Sequence, residues 1–172
     1  MRKAPDLRRL LRAAARARRL AYAPYSRFAV GAAVLAGGRI HAACNVENGS
    51  FPLSVCAERN AVGMAVARGA RRIDAVAVVG GTSQPASPCG GCRQVLAEFC
   101  DASAPVIYAC PGGRPVSTTM GALLPHAFSG RDVKAAGEPS RDTRDRKPGR
   151  RVRQPGRRRS APRAPSSRSS GR

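Results

Sequence analysis

Apolar positions recur along the first part of the chain with two different periods. Leu7, Leu10, Leu11, Ala14 and Ala21 follow helical spacing and predict a first helix packed by its leucine stripe. From Phe28 the rhythm changes. Phe28 to Leu35 and Arg39 to Cys44 are apolar-rich runs separated by Gly37-Gly38, a hairpin signal because the tightest hairpin turns need positive φ at both central residues. Over residues 56–68, Ala57, Ala61, Met64 and Ala65 share a helix face, and Gly69 marks its stop. Ile73 to Val79 is rich in β-branched residues and alanine, which predicts a central strand buried on both faces. Pro88 then opens a helix that runs to Phe99, and Val106 to Cys110 gives a further strand. Strands separated by short helices predict a layered α/β domain.

Beyond Phe128 the pattern fails. Arg, Pro, Ser and Gly dominate, and such a segment cannot bury enough apolar surface to offset its chain entropy. The expected organisation is one folded domain over 1–134 and a disordered basic tail over 135–172; at 172 residues the chain has room for one real core. Charge follows the same division. Residues 1–20 carry eight Lys/Arg against one acid, 21–130 carry eight against five, and 131–172 carry fifteen against four, so the net +21 divides as +7, +3 and +11. The chemistry is therefore to be sought in the nearly balanced middle. The basic ends attract phosphates without sequence preference, a nonspecific nucleic-acid contact that salt would weaken. No apolar run approaches the roughly 20 residues of a membrane span, and no apolar stretch precedes a small-residue cleavage site, so a cytoplasmic, soluble protein with no membrane contact is expected. The Arg-rich start also fits an organelle transit peptide, but its leucine stripe runs straight into Tyr22-Ala23-Pro24-Tyr25 and favours a packed helix.

Six cysteines in such a chain read as reduced thiols rather than a disulfide framework. Cys44, Cys100 and Cys110 are most simply small buried apolar groups. The other three have patterned surroundings. Ser54-Val55-Cys56 and Ser87-Pro88-Cys89 each place a serine two residues ahead of a cysteine, so the serines are predicted N-caps and the cysteines first-turn residues. Helix-start amides and the positive helix end favour thiolate, the form that binds zinc. Cys92 stands three residues after Cys89, on the same helix face. Three protein ligands leave the fourth zinc position open, the mark of a catalytic rather than a structural ion.

Alone, Cys89-Gly90-Gly91-Cys92 also fits half a zinc ribbon or a redox dithiol. Cys56-Ala57-Glu58 changes that, because Cys-x-Glu followed thirty residues after its Glu by Pro88-Cys89-Gly90-Gly91-Cys92 is the zinc-deaminase pattern. Glu58 is then the proton carrier: a ring nitrogen must gain a proton during attack at the ring carbon, and ammonia must leave protonated. Three thiolates on Zn²⁺ oppose formation of a further anion at the metal, so density must be withdrawn. Arg59 is the candidate, placed to hydrogen-bond the ligand sulfurs.

These motifs, with Ala23-Pro24-Tyr25-Ser26-Arg27-Phe28, Val30-Gly31-Ala32-Ala33, Cys44-Asn45-Val46-Glu47-Asn48 and Cys92-Arg93-Gln94-Val95, resemble the small homotetrameric cytidine deaminases over residues 5–130. The resemblance implies a three-layer α/β/α fold with a mixed sheet of about five strands, one zinc per subunit, and deamination of cytidine and 2′-deoxycytidine in pyrimidine salvage. It also implies a homotetramer. Asn45 and Glu47 would bond the ribose hydroxyls beside Val46, Phe28 and Ala57 would line the pyrimidine pocket, and Phe128 would enter a neighbouring subunit's site. Arg59 and Gln94 would stand behind the metal ligands. Phe51 and Asn60 occupy places where the family pattern has Tyr and Thr, and the basic tail is an addition to it.

Two rivals remain open at this level. A deaminase of a cytosine-bearing antibiotic such as blasticidin S shares the zinc pattern, but Asn45-Val46-Glu47-Asn48 answers to a free ribose. A polynucleotide-editing or nucleic-acid-binding protein would use the basic segments, yet these lack the aromatics that stack on unpaired bases.

Overall fold

The computed structural model describes residues 4–130 and 132–133. They belong to one compact unit, Met1–Val133; the expected tail, 135–172, lies outside the described residues. Asp6 caps the first helix, α1 (Leu7–Arg18), its carboxylate accepting from the Arg9 amide at 2.9 Å. Helix α1 buries Leu10, Ala13, Ala14 and Ala17, while Leu7 and Leu11 are only partly covered. Its predicted stripe ran one turn too far, since Ala21 falls in the turn after Arg18.

The predicted hairpin is β1 (Gly31–Ala36) against β2 (Arg39–Cys44). Gly37 and Gly38 have φ of 56° and 77°, the conformation a two-residue turn of this hand demands. Phe28 to Val30 is not strand. Asn45 holds that segment instead, its Oδ1 accepting from the Val30 amide and its Nδ2 donating to the Phe28 carbonyl, both at 2.9 Å. A short 3₁₀ turn, Phe51–Leu53, leads into α2 (Ala57–Ala67), and Gly69 ends α2 with φ 89°. Strand β3 (Ala75–Val79) is buried throughout, as a central strand should be. Ile73 stands apart from it, in an isolated bridge to Cys100. Helix α3 (Gly90–Phe99) crosses to β4 (Pro105–Ala109), followed by β5 (Val116–Thr119) and a one-turn helix, α4 (Met120–Leu123).

The sheet order is β2-β1-β3-β4-β5, antiparallel except for the β3–β4 pair. Helix α1 covers one face, packing on Ala33, Ala75, Ala77, Val79 and Ile107. On the other face α2 and α3 pack on Val34, Val76, Val78 and Val106 through Ala61, Ala65 and Leu96. This is the three-layer α/β/α arrangement with a mixed five-stranded sheet. Helices α2 and α3 both start at the edge where β1 begins and β3 ends, which brings their first residues together. Among the described residues no helix is long and apolar enough to cross a membrane.

Candidate active site and metal centre

The two helix starts differ from expectation by one position. Cys56 and Cys89 are themselves the N-cap residues, with extended backbones (φ −67° for each). The serines do other work: Ser54 Oγ accepts from the Asn48 amide at 3.0 Å, and Ser87 Oγ accepts from Arg93 Nη2 at 3.1 Å. An N-cap side chain naturally folds back over the third helical residue, and Cys92 is that residue in α3. The C-x-x-C spacing thus places N-cap and N3 sulfurs side by side.

The Sγ atoms of Cys56, Cys89 and Cys92 lie within 4.8 Å of one another. Sulfurs sharing a zinc stand somewhat closer than twice the Zn–S bond of about 2.3 Å, so small rotamer adjustments make the cluster a three-thiolate site. Neither helix-start cysteine spends its sulfur on a cap bond, which leaves both free for the ion. Hydrogen bonds from the Cys92 and Cys89 thiols, with the charge of Arg59, pull the Cys56 thiol down to about 6, while the same contacts and burial push Cys92 strongly upward. The Cys56 sulfur is therefore ionised ahead of that of Cys92, a natural first ligand for a cation.

Glu58, the second residue of α2, is 4% exposed. Burial pushes its carboxyl above the usual range, and the Cys56 charge adds to this, against hydrogen bonds from its own amide and the Cys92 thiol. It forms part of the wall of a cavity of about 190 Å³ that also touches Cys56 and Cys89. That is below the roughly 300–1,000 Å³ of drug-sized pockets and suits a small ligand.

The cavity gathers Phe28, Asn45, Glu47 and Ala57 from the predicted set. Glu47 Oε2 accepts from the amides of Tyr25 (3.0 Å) and Ser26 (3.2 Å), and its Oε1 accepts from the Ser26 hydroxyl. These bonds, Ser26 Oγ first among them, hold the Glu47 carboxyl below its ordinary value. The remaining predicted residues lie off the cavity wall. Val46 bridges to Val55 through its backbone and is 46% exposed. Gln94 Nε2 donates to the Phe128 carbonyl at 2.7 Å, leaving the Phe128 ring 62% exposed. Arg59 is exposed and makes no hydrogen bond to a ligand sulfur among the described residues; only its charge reaches Cys56.

Sequence reasoning missed Ser26 and Arg93. The Arg93 guanidinium donates to the carbonyls of Pro88 (2.8 Å) and Leu123 (3.0 Å) as well as to Ser87, pinning the loop that delivers Cys89. Its place one turn after Cys89 was the available signal. The two departures from pattern also have contacts. Asn60 Nδ2 donates to the Cys44 carbonyl at 2.9 Å, and the exposed Phe51 ring meets Tyr25 edge-on, centroids 5.8 Å apart. All six cysteines are free; Cys110 is buried, whereas Cys44 and Cys100 are only half-buried.

Comparison with known proteins agrees with this geometry. The family described as the cytidine and deoxycytidylate deaminase zinc-binding region matches residues 5–109. A cytidine deaminase of Sporosarcina psychrophila is 48% identical over 134 residues, 77% of this chain and 98% of that protein. One from Halalkalibacterium halodurans is 44% identical over 129 residues, 74% of this chain and 98% of its own. Among solved structures, the cytidine deaminase of Burkholderia pseudomallei superposes with a TM-score of 0.67 at 46% identity, covering 70% of this chain and 98% of that one. With the zinc-ligand cluster in place and the match running through both helix starts, the chain belongs to the cytidine and deoxycytidylate deaminase zinc-binding family.

Proposed function

We propose that the chain hydrolyses cytidine and 2′-deoxycytidine to uridine and 2′-deoxyuridine with release of ammonia, in pyrimidine salvage. The observation that carries this is a buried carboxyl, Glu58, beside three clustered thiols on a small cavity whose wall also includes Asn45 and Glu47. Cys56, Cys89 and Cys92 hold the zinc, which when bound supplies Lewis-acid activation of water.

The chain's own residues do the rest. Glu58 takes a proton from the attacking water and delivers it to N3 of the pyrimidine as a C4–O bond forms. It then carries a second proton to the amine as the C4–N bond breaks. A carboxyl with its affinity for protons raised by burial suits both halves of that cycle. Glu47 stays ionised and accepts from a ribose hydroxyl, while Asn45 can accept and donate. Both side chains are already fixed by bonds to the 25–30 segment, so little rotamer freedom is lost when substrate arrives. Phe28 and Ala57 shape the ring pocket, with Val46 between the two ribose-binding residues. Arg59 stabilises the ligand thiolates by charge, and Gln94 holds the segment that carries Phe128.

The working unit is a homotetramer in which Phe128 reaches a neighbouring subunit. Leu20 (78%), Phe51 (69%) and Leu53 (65%) are exposed in the single chain and supply apolar surface for such contacts. Six free thiols support a reducing, cytoplasmic setting. The deaminase domain is residues 1–134, and removing 135–172 is expected to abolish nonspecific nucleic-acid retention while sparing nucleoside turnover.

The deciding experiment is absorbance-monitored deamination of cytidine by wild type and Glu58→Gln, with zinc quantified in both. Turnover should fall by at least about 10²-fold at unchanged zinc content. Equal activity in the two proteins would defeat the assignment of Glu58.

A further inference from the structure

At the end of α2 away from the metal centre lies a second cavity, of about 290 Å³, that shares no lining residue with the first. Arg39 enters it from the start of β2, His41 from the next inward position of the same strand, and Arg68 from the C-cap of α2, beside Gly69. No carboxylate of the described residues lines it. Neither guanidinium forms an ion pair among the described residues, and Arg68 Nη1 makes only a 3.4 Å contact with the Met64 carbonyl. Two fixed positive charges thus converge on one space with no counter-charge among the described residues.

His41 supplies an independent observation. It is 6% exposed, and its side chain makes no hydrogen bond among the described residues. Among the described residues, no fully buried side-chain nitrogen or oxygen lacks a partner, so the unpartnered ring nitrogens of His41 keep some accessible surface, and the residue lines this cavity. Burial, then Arg68 and Arg39, hold the imidazole below its ordinary value, and a neutral ring there presents one N–H donor and one acceptor. The C-terminal end of α2 carries about half a negative charge. Two whole guanidinium charges outweigh it, leaving the cavity net positive.

We propose that this cavity binds a phosphate-bearing anion, held by the guanidinium groups of Arg39 and Arg68 and the imidazole of His41. Planar guanidinium forks match phosphate oxygens, and an imidazole N–H completes a three-sided grip on a tetrahedral group. Free orthophosphate and the phosphates of a nucleotide share this chemistry.

The test exploits the fact that the chain has two histidines. In full-length, zinc-loaded His126→Gln protein, His41 is the sole imidazole, so its ¹⁵N resonances report on this cavity and not on the arginine-rich remainder. Inorganic phosphate titrated to about 20 mM, well above a millimolar Kd, against sodium chloride of matched ionic strength, should shift His41 saturably toward the imidazolium pattern. Arg39→Gln and Arg68→Gln should each weaken that response about tenfold or more while leaving cytidine turnover unchanged. Running ATP in parallel distinguishes the sources: tighter binding of ATP assigns the site to nucleotide phosphates, and equal binding to the free anion. An unmoved His41, or a shift that survives in both Gln variants, overturns the proposal.

Discussion

The two faces of the sheet are built from the same five strands and hold different things. Toward α1, β3 presents Ala75 and Ala77, and the helix answers with Leu10, Ala13 and Ala14. Toward α2 and α3 it presents Val76 and Val78. The α1 face is a close approach of small residues: a Cβ added to Gly31 would sit 2.1 Å from the Ala14 carbonyl oxygen. The α2 side holds both buried polar side chains of the described residues, Glu58 and His41, one at each end of α2. One layer is fastened tightly, and the other carries the groups that titrate and bind. A close-packed interface tolerates no added volume, whereas helix ends leave backbone and side-chain groups unsatisfied for ligands to use.

The two layers should therefore fail in different ways. The largest effect belongs to Glu58→Gln, where turnover drops about 10²–10⁴-fold and the urea midpoint does not fall, because an amide is easier to bury than a carboxylate. A parallel loss of stability would erase the distinction. Gly31→Val is the converse. Its side chain meets helix backbone rather than a movable side chain, so destabilisation of about 3 kcal/mol or more is expected, with kcat per folded molecule unchanged.

Arg59→Ala should act more weakly, below about tenfold on turnover, in keeping with an exposed charge. Removing that positive charge makes the Cys56 thiol harder to ionise. Zinc retention against a chelator should therefore need a higher pH than in wild type, and unchanged retention would leave Arg59 without a role. The smallest effect concerns His41. Its folded value lies below 6.5, so unfolding takes up a proton; the stability it contributes is full above about pH 6.5 and is lost as pH falls through the lowered value. Urea unfolding of His126→Gln at pH 7.5, 6 and 5 should show that decline, and His41→Gln should flatten it.

Much of this was legible in the chain. Period and turn chemistry located both hairpin strands, the central strand and three helices, because each is set by local pattern. Strand β5 was not located: Val-Ser-Thr-Thr is a mostly exposed edge with no alternating apolar signal. The metal cluster was legible because its spacing is a local property of helix starts. The serine caps were misread, since cap preference is tallied on oxygen side chains and a sulfur reserved for a metal takes the same backbone position without the bond. Arg93 stayed hidden for a different reason. One of its acceptors, the Leu123 carbonyl, is thirty residues away, and no local rhythm announces such a pairing. Glu47 and Asn45 stand out in the sequence as candidate ligand groups, but another task, strapping the 25–30 segment, depends on where the chain returns in space.

The parallel pair β3–β4, with α3 as its crossover, also sets a timetable. A ribosome releases Cys56 with the first hairpin and α2, well before Cys89 and Cys92 emerge. Until α3 has docked across the sheet, a nascent chain offers the cell's zinc supply a single thiolate, too weak a hold to keep it. Metal capture therefore comes late in the assembly of the sheet, and a chain stalled or cut before α3 never holds zinc, so that metal content certifies synthesis and docking through α3.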